Sequence, residues 1–416
     1  MEAFDLKRGL LLGAASGGVR SDGATSGNPW LSWAARSLPR DGAPFRAADH
    51  WDNWRADADL MHGLALESCR LTVDWARIEP TQGVYDDAAI AHVREEILYL
   101  RALGVRVVLV LHEFSLPAWA LRAGGWTKPE TLRCFLQYVE KLVRTVGHLV
   151  EDYVPVSQPN LYAWCGWYAG AWPPEKKSAL SLRSAASLLV AAHVECYRLI
   201  HALRKELGLR DTRVGASIYM RMLRAKNGKP PLLASGVFAP DRLFQTAVSE
   251  AMVCGRFSAN VKDLTHAKKG NYCDFHDLCC YALPDTIGGG VPGTGRAPDA
   301  DELLYCAARC SALLRRPIFI TEGPGLSAPG PRRIYENVRA ISGTGLPIER
   351  WFALAFADGF EWTQGSAARL GLVAVDPESG ARSVRPGGEF LRRLIRNRGV
   401  TAEMAAEYPE EEKTEA

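Results

Sequence analysis

Short apolar runs in this chain end in acids, amides or arginines, and those end residues could do chemistry. The clearest case is Ile318-Phe319-Ile320-Thr321-Glu322, followed by Gly323. An apolar run of that length reads as a strand buried on both faces. A carboxylate at its end is costly to bury without a partner or a purpose. One reading makes Glu322 a nucleophile at the mouth of a barrel. Other run ends carry Arg20, Asp74-Trp75, His112-Glu113, Ser157-Gln158, the group His276, Asp277 and Tyr281, and then Asp358, Glu361 and Trp362. Carboxylates and amides bind hydroxyls, and tryptophan faces stack on sugar rings. Facing one mouth, such a set suits a neutral polyhydroxylated ligand; the structural alternative is that these acids simply pair with arginines.

The elements that must position them alternate. Strand-like runs fall at 10–16, 69–75, 105–113, 153–158, 214–219, 274–281, 318–322 and 351–357. Helical spacing of apolar residues covers 49–66, 87–103, 131–149, 178–207, 299–314 and 332–341, with a last helix near 389–396. Eight such units point to a single-domain (β/α)8 TIM barrel over residues 1–400. An open doubly wound sheet is the structural alternative. Residues 401–416 include Glu410-Glu411-Glu412 and few large apolar side chains, and are expected to form a disordered acidic tail. The glycines at 288–293 fit G-x-G-x-x-G, but Pro292 and the lack of an immediate helix speak against a dinucleotide site.

Composition narrows the class. A net charge of +3 over 416 residues gives no pull toward nucleic acid or membranes. No stretch is apolar enough for a membrane span, and the first residues do not read as a secretory signal, so the expected compartment is the cytoplasm. Ten cysteines without a C-x-x-C pair read as buried free thiols rather than metal ligands. No metal or organic cofactor is expected, and the oligomeric state is open.

In order and spacing the motifs resemble glycoside hydrolase family 1, the β-glucosidase family of retaining barrel enzymes. The resemblance rests on Leu12-Gly13-Ala14-Ala15-Ser16-Gly17-Gly18, Asp49-His50-Trp51, and the run from Arg70 to Pro80. It continues through Leu116-Pro117, Trp119 and Gly124-Gly125-Trp126, then Gly166-Trp167-Tyr168-Ala169-Gly170. Ile320-Thr321-Glu322, Asp358-Gly359-Phe360-Glu361-Trp362 and Arg369-Leu370-Gly371-Leu372 complete it. The resemblance implies Glu322 as nucleophile, Arg70 and Tyr281 holding its carboxylate, and Glu361 and Trp362 binding sugar hydroxyls.

Six positions depart from the family pattern. The acid/base glutamate is Gln158 and its neighbouring amide is Ser157. The expected strand-one Gln is Arg20, the expected His is Glu113, an Asn is Cys279 and a Trp is Leu354. His112 lies one residue out of register, which in a strand reverses its facing. Arg20 and Glu113 carry opposite charges at positions that usually approach one sugar hydroxyl, so they are expected to pair; alternatively Arg20 receives an anionic group. A glutamine cannot give or take the proton a glycosidase needs. Two readings stay open: an atypical retaining β-glycosidase or transglycosidase working through Glu322, or a non-catalytic barrel that binds a glycan or a protein. Glu113 as a substitute acid/base is a variant of the first.

Overall fold

The computed structural model describes residues 1–37, 48–222, 242–265, 269–281, 297–323, 328–362, 365 and 369–408. Eight parallel strands close into a barrel. They are β1 Leu11–Gly17, β2 Ser68–Thr72, β3 Arg106–Val110, β4 Asp152–Val154, β5 Arg213–Tyr219, β6 Phe275–Cys280, β7 Ile318–Glu322 and β8 Ile348–Ala353. Pairing of Leu11 with Arg350 and Ala14 with Ala353 joins β8 back to β1. The closed barrel replaces the open-sheet alternative.

The strands are short and buried because helices cover them outside and side chains fill them inside. Val108, Val110, Val154, Phe275, Phe319 and Phe352 form the inner apolar cluster. Below it Arg350 and Arg213 both pair with Asp152, and the Arg350 guanidinium lies 4.5 Å from the Phe319 ring centroid. Gly13 is required where β1 meets β2: a Cβ there would come within 1.9 Å of the Ser68 carbonyl oxygen.

The outer helices follow the expected periodicity. Pro129–Val146 starts with proline in its first turn and buries Cys134, Phe135, Tyr138, Val139, Leu142, Val143 and Val146 along one stripe. Helices Pro29–Ser37 and Ala247–Cys254 and the hairpin Val373–Val375/Arg382–Val384 were not expected from the pattern. Nor was the ending. Thr401 caps a short helix, Ala402–Ala406, whose Met404 is buried, and the amino terminus reaches the Tyr408 carbonyl. The stretch 401–408 is thus structured, against the expectation of a disordered tail from 401; residues 409–416 lie outside the described residues, as does the glycine run at 288–293. All ten cysteines are free thiols, nine of them buried. No described helix is long and apolar enough to cross a membrane.

Candidate functional site

Strand alternation decides which side chains reach the barrel interior. On β6, Phe275 belongs to the inner cluster, so Asp277 and Cys279 face inward as well. Asp277 meets Arg70 from β2: Arg70 Nη2 donates to Oδ2 at 2.9 Å and Nε to Oδ1 at 3.3 Å. Arg70 Nη2 also donates to Ser157 Oγ at 2.9 Å, and its Nη1 lies 3.5 Å from Glu113. Burial works against the Arg70 charge, but Asp277 and Glu113 outweigh it and raise its pKa.

The same alternation turns Glu322 away. Phe319 faces inward on β7, so Thr321 does too, and Glu322 faces the helices. Its cross-strand partner is Cys280, whose thiol approaches Cys306 on the helix Ala300–Leu313. The Glu322 carboxylate is 3% exposed and accepts from Arg333 Nε at 3.0 Å; Arg333 comes from the helix Pro331–Gly343. Burial raises the Glu322 pKa, and Arg333 opposes the shift, with Asn337 and Trp351 also flanking the group. The expectation that Arg70 and Tyr281 hold Glu322 is thus corrected. Among the described residues no ion pair within 4 Å joins Arg70 to Glu322. Asp277 occupies the guanidinium that the family pattern assigns to the nucleophile.

Tyr281 instead donates to Gln158 Oε1 at 2.6 Å, and Gln158 Nε2 donates to Ser157 Oγ at 3.3 Å. Gln158 is 2% exposed with a left-handed backbone, φ 47°. Its backbone N–H reaches Ser217 Oγ, 3.2 Å away, and Ser217 lies 3.9 Å from the Cys279 thiol. Burial pushes the Tyr281 hydroxyl pKa up, so it serves as a donor. The amide is locked between a tyrosine and a serine.

Glu113 accepts from Thr72 Oγ1 at 2.8 Å, and its ion-pair partner is Arg70. The expected pairing of Glu113 with Arg20 is not formed: among the described residues no salt bridge within 4 Å includes Arg20. The Arg20 guanidinium lies in the field of Glu361 and Glu113, and burial lowers its pKa while both acids oppose that. Its backbone carbonyl accepts from Phe360 N at 2.8 Å, and a Cβ on Gly359 would come within 2.4 Å of that oxygen. Arg20 and Glu361 are thus held beside one another by the main chain. Trp362 is 4% exposed and packs on Trp30 (4.5 Å between centroids) and Phe114 (5.2 Å). Leu354 touches the strand end below, where its N–H reaches the Glu322 carbonyl. His112 packs among Trp126, Phe135 and Tyr162, and burial lowers its pKa to about 3.

Sequence reasoning placed Arg20, Glu113, Gln158, Asp277, Tyr281 and Glu361 around one mouth but did not pair Asp277 with Arg70, and it missed Arg333. The inward face of β6, readable from Phe275, was the available signal for Asp277. Arg333 had none, because it follows the strand on a helix. Chemically, the mouth can donate to and accept from hydroxyls. A retaining double displacement needs two carboxyl groups about 5–5.5 Å apart across one bond. Of the two positions that the resemblance assigns to those groups, Gln158 is an amide and Glu322 faces the helices. Among the described residues no group of three or more His, Cys, Asp or Glu could hold a metal ion.

Comparison with known proteins agrees with this architecture. The β-glycosidase of Pyrococcus horikoshii superposes with a TM-score of 0.83 at 20% identity, covering 99% of both chains. The β-glucosidase of Thermotoga maritima in complex with deoxynojirimycin gives 0.79 at 19% identity, covering 95% of this chain and 100% of that one. In sequence, the chain is 23% identical over 428 residues to galactolipid galactosyltransferase SFR2 of Arabidopsis thaliana, covering 94% of this chain. It spans 66% of that relative, just under two thirds of its length. The model of glycosyl hydrolase family 1 matches residues 16–280, from the end of β1 to the end of β6. Glu322 on β7 lies beyond the matched stretch, but the match covers more than half of the chain, which therefore belongs to glycosyl hydrolase family 1.

Proposed function

We propose that this chain is a glycoside-binding barrel that does not form a glycosyl-enzyme on Glu322. The observation that carries the reading is the facing of Glu322, which is paired with Arg333 in the helical layer. Gln158 removes the acid/base, and Asp277 takes the arginine that would ionise and aim the nucleophile. General acid–base help is worth about 10²–10⁴-fold, so losing it together with the nucleophile leaves little of the retaining mechanism.

Binding is supported by what stays at the mouth. Arg20 and Glu361 offer a donor and an acceptor side by side, Glu113 adds a second acceptor, and Trp362 gives an apolar edge. A sugar hydroxyl can accept from the guanidinium and donate to a carboxylate at once. Two guanidinium groups (Arg20, Arg70) face three carboxylates (Glu113, Asp277, Glu361), which favours a neutral glycoside over an anionic one. The similarity to a Thermotoga maritima β-glucosidase in complex with deoxynojirimycin supports a carbohydrate-like ligand.

Isothermal titration with methyl β-glucopyranoside and methyl β-galactopyranoside tests the reading. Saturable binding that is weakened in Arg20→Ala and in Glu361→Gln is expected. Binding that neither substitution weakens would reject the mouth as the site.

A second reading is an atypical glycosidase or transglycosidase. It is favoured by Glu113, a carboxylate facing the mouth at 12% side-chain exposure, and by the similarity to a galactosyltransferase. In that reading Glu113→Gln abolishes glycosyl transfer.

A further inference from the structure

A cleft of about 420 Å³ lies on the flank of the barrel, between the segment 25–28, the residues after β2 and the helix Asp87–Ala102. Its size falls within the range of small-ligand sites, about 300–1,000 Å³. Two buried nitrogens on its wall, Arg77 Nε and His92 Nε2, have no hydrogen-bond partner among the described residues. One carboxylate, Asp86, lines the same cleft and accepts from the Ala89 N–H at 2.9 Å. Buried polar groups are ordinarily satisfied, so this concentration calls for an explanation.

The mixture identifies the missing chemistry. An anion would satisfy Arg77 and His92 but face Asp86. A cation would face Arg77. A neutral group that both donates and accepts suits all of them, and a hydroxyl is such a group. Thr25 and Ser26 add hydroxyls to the same wall, while Pro80, Pro117 and Ala118 give it an apolar floor. Trp51 is held rigidly: His92 stacks 3.7 Å from its ring centroid and the Arg77 guanidinium lies 4.1 Å from it. Two groups that close occupy opposite faces of the ring, so a ligand meets its edge.

We propose that this cleft is a second saccharide-binding site for a neutral sugar unit, separate from the barrel mouth. Asn28 forms the wall between the two. Its side chain donates to Ser115 at 3.1 Å and accepts from the Trp30 N–H at 3.0 Å, and Trp30 packs on Trp362. The two sites share that wall, so a glycan long enough to cross it could use both.

The test follows the indole N–H resonances of Trp51 and Trp362 during titration with methyl β-glucopyranoside and methyl β-galactopyranoside. The Trp51 resonance is expected to shift saturably with at least one of them. Ser26→Tyr, which fills the cleft from an exposed loop position, should abolish that shift and leave Trp362 unaffected. Arg20→Ala should do the reverse, which separates failure of the cleft from failure of the mouth. A Trp51 resonance that neither sugar moves, in a folded protein, means the orphan atoms hold water only and overturns the proposal. So does a shift that survives Ser26→Tyr.

Discussion

Arg70 and Asp277 form a buried ion pair inside the barrel, with Nη2 2.9 Å from Oδ2 and with 1% and 0% of their side chains exposed. The pair spans β2 and β6, and its arginine is the one that the family pattern assigns to the nucleophile. With that guanidinium engaged, Glu322 has its own counter-ion outside the barrel, Arg333.

Removing Asp277 should therefore be severe. Asp277→Ala leaves the Arg70 charge buried with Glu113 as its remaining carboxylate, at 3.5 Å. Breaking a buried pair on one side costs about 3–5 kcal/mol. Urea denaturation should show an unfolding free energy lower by that amount, and Asp277→Asn, which keeps an acceptor, should lose less. Equal and small losses would mean that the pair does not organise the barrel.

Glu322→Gln should be mild by contrast. Arg333 is 24% exposed and can return to water. Burial already raises the Glu322 pKa, so the protonated form is favoured in the fold relative to the free side chain. For a raised carboxylate, the contribution to stability is present below its unfolded pKa and falls as the pH climbs through the folded value. The glutamine variant should lose less than about 1.5 kcal/mol and should show a flatter stability profile through the mildly acidic range. Parallel melts of both proteins across pH 4–7 check this.

Gln158→Glu puts a carboxyl where the resemblance expects the acid/base, without restoring activity. The new carboxyl would lie against Tyr281 and Ser157, with no inward nucleophile opposite. Hydrolysis of dinitrophenyl β-glycosides should remain at background. A strong gain in turnover would show that Glu322 reaches the mouth.

Asp22 should impose a pH dependence of its own. Burial raises its pKa to about 7, with His50 and Arg77 opposing and Glu96 and Asp74 reinforcing. Its folded pKa exceeds the unfolded value of 3.8, so its stabilising contribution is lost as the pH rises between the two. Asp22→Asn should accordingly be more stable relative to wild type at pH 8 than at pH 5, by more than about 1 kcal/mol. Matched denaturation curves at the two pH values measure the difference.

Much of the fold was legible in the chain. Ile318–Glu322 reads as a strand and is one over its whole length, because five consecutive residues are buried. The last residues of other predicted strands proved to be loop. Thr72 ends β2, and Asp74 goes on to cap the next short helix. The facing of Glu322 was not legible. It depends on Phe319 pointing inward, after a bulge where Ile318 pairs with Ile348 and Phe319 with Arg350. Which carboxylate holds Arg70 is likewise a matter of three dimensions: Asp277 and Glu322 are 45 residues apart and compete only once the barrel closes. The helix at 402–406 was hidden by the acids around it, although Thr401 and Met404 are the cap and the buried contact that make it.

The most direct test of the central claim is the intact mass of the protein after incubation with dinitrophenyl 2-deoxy-2-fluoro β-glycosides of gluco, galacto, manno and fuco configuration. Such compounds need no acid catalyst and trap a glycosyl-enzyme wherever a working nucleophile exists. With Glu322 held by Arg333, the expected result is an unchanged mass for every sugar, in a sample that still binds methyl glycosides. A gain of one sugar that disappears in Glu322→Gln would contradict the account and establish a retaining enzyme.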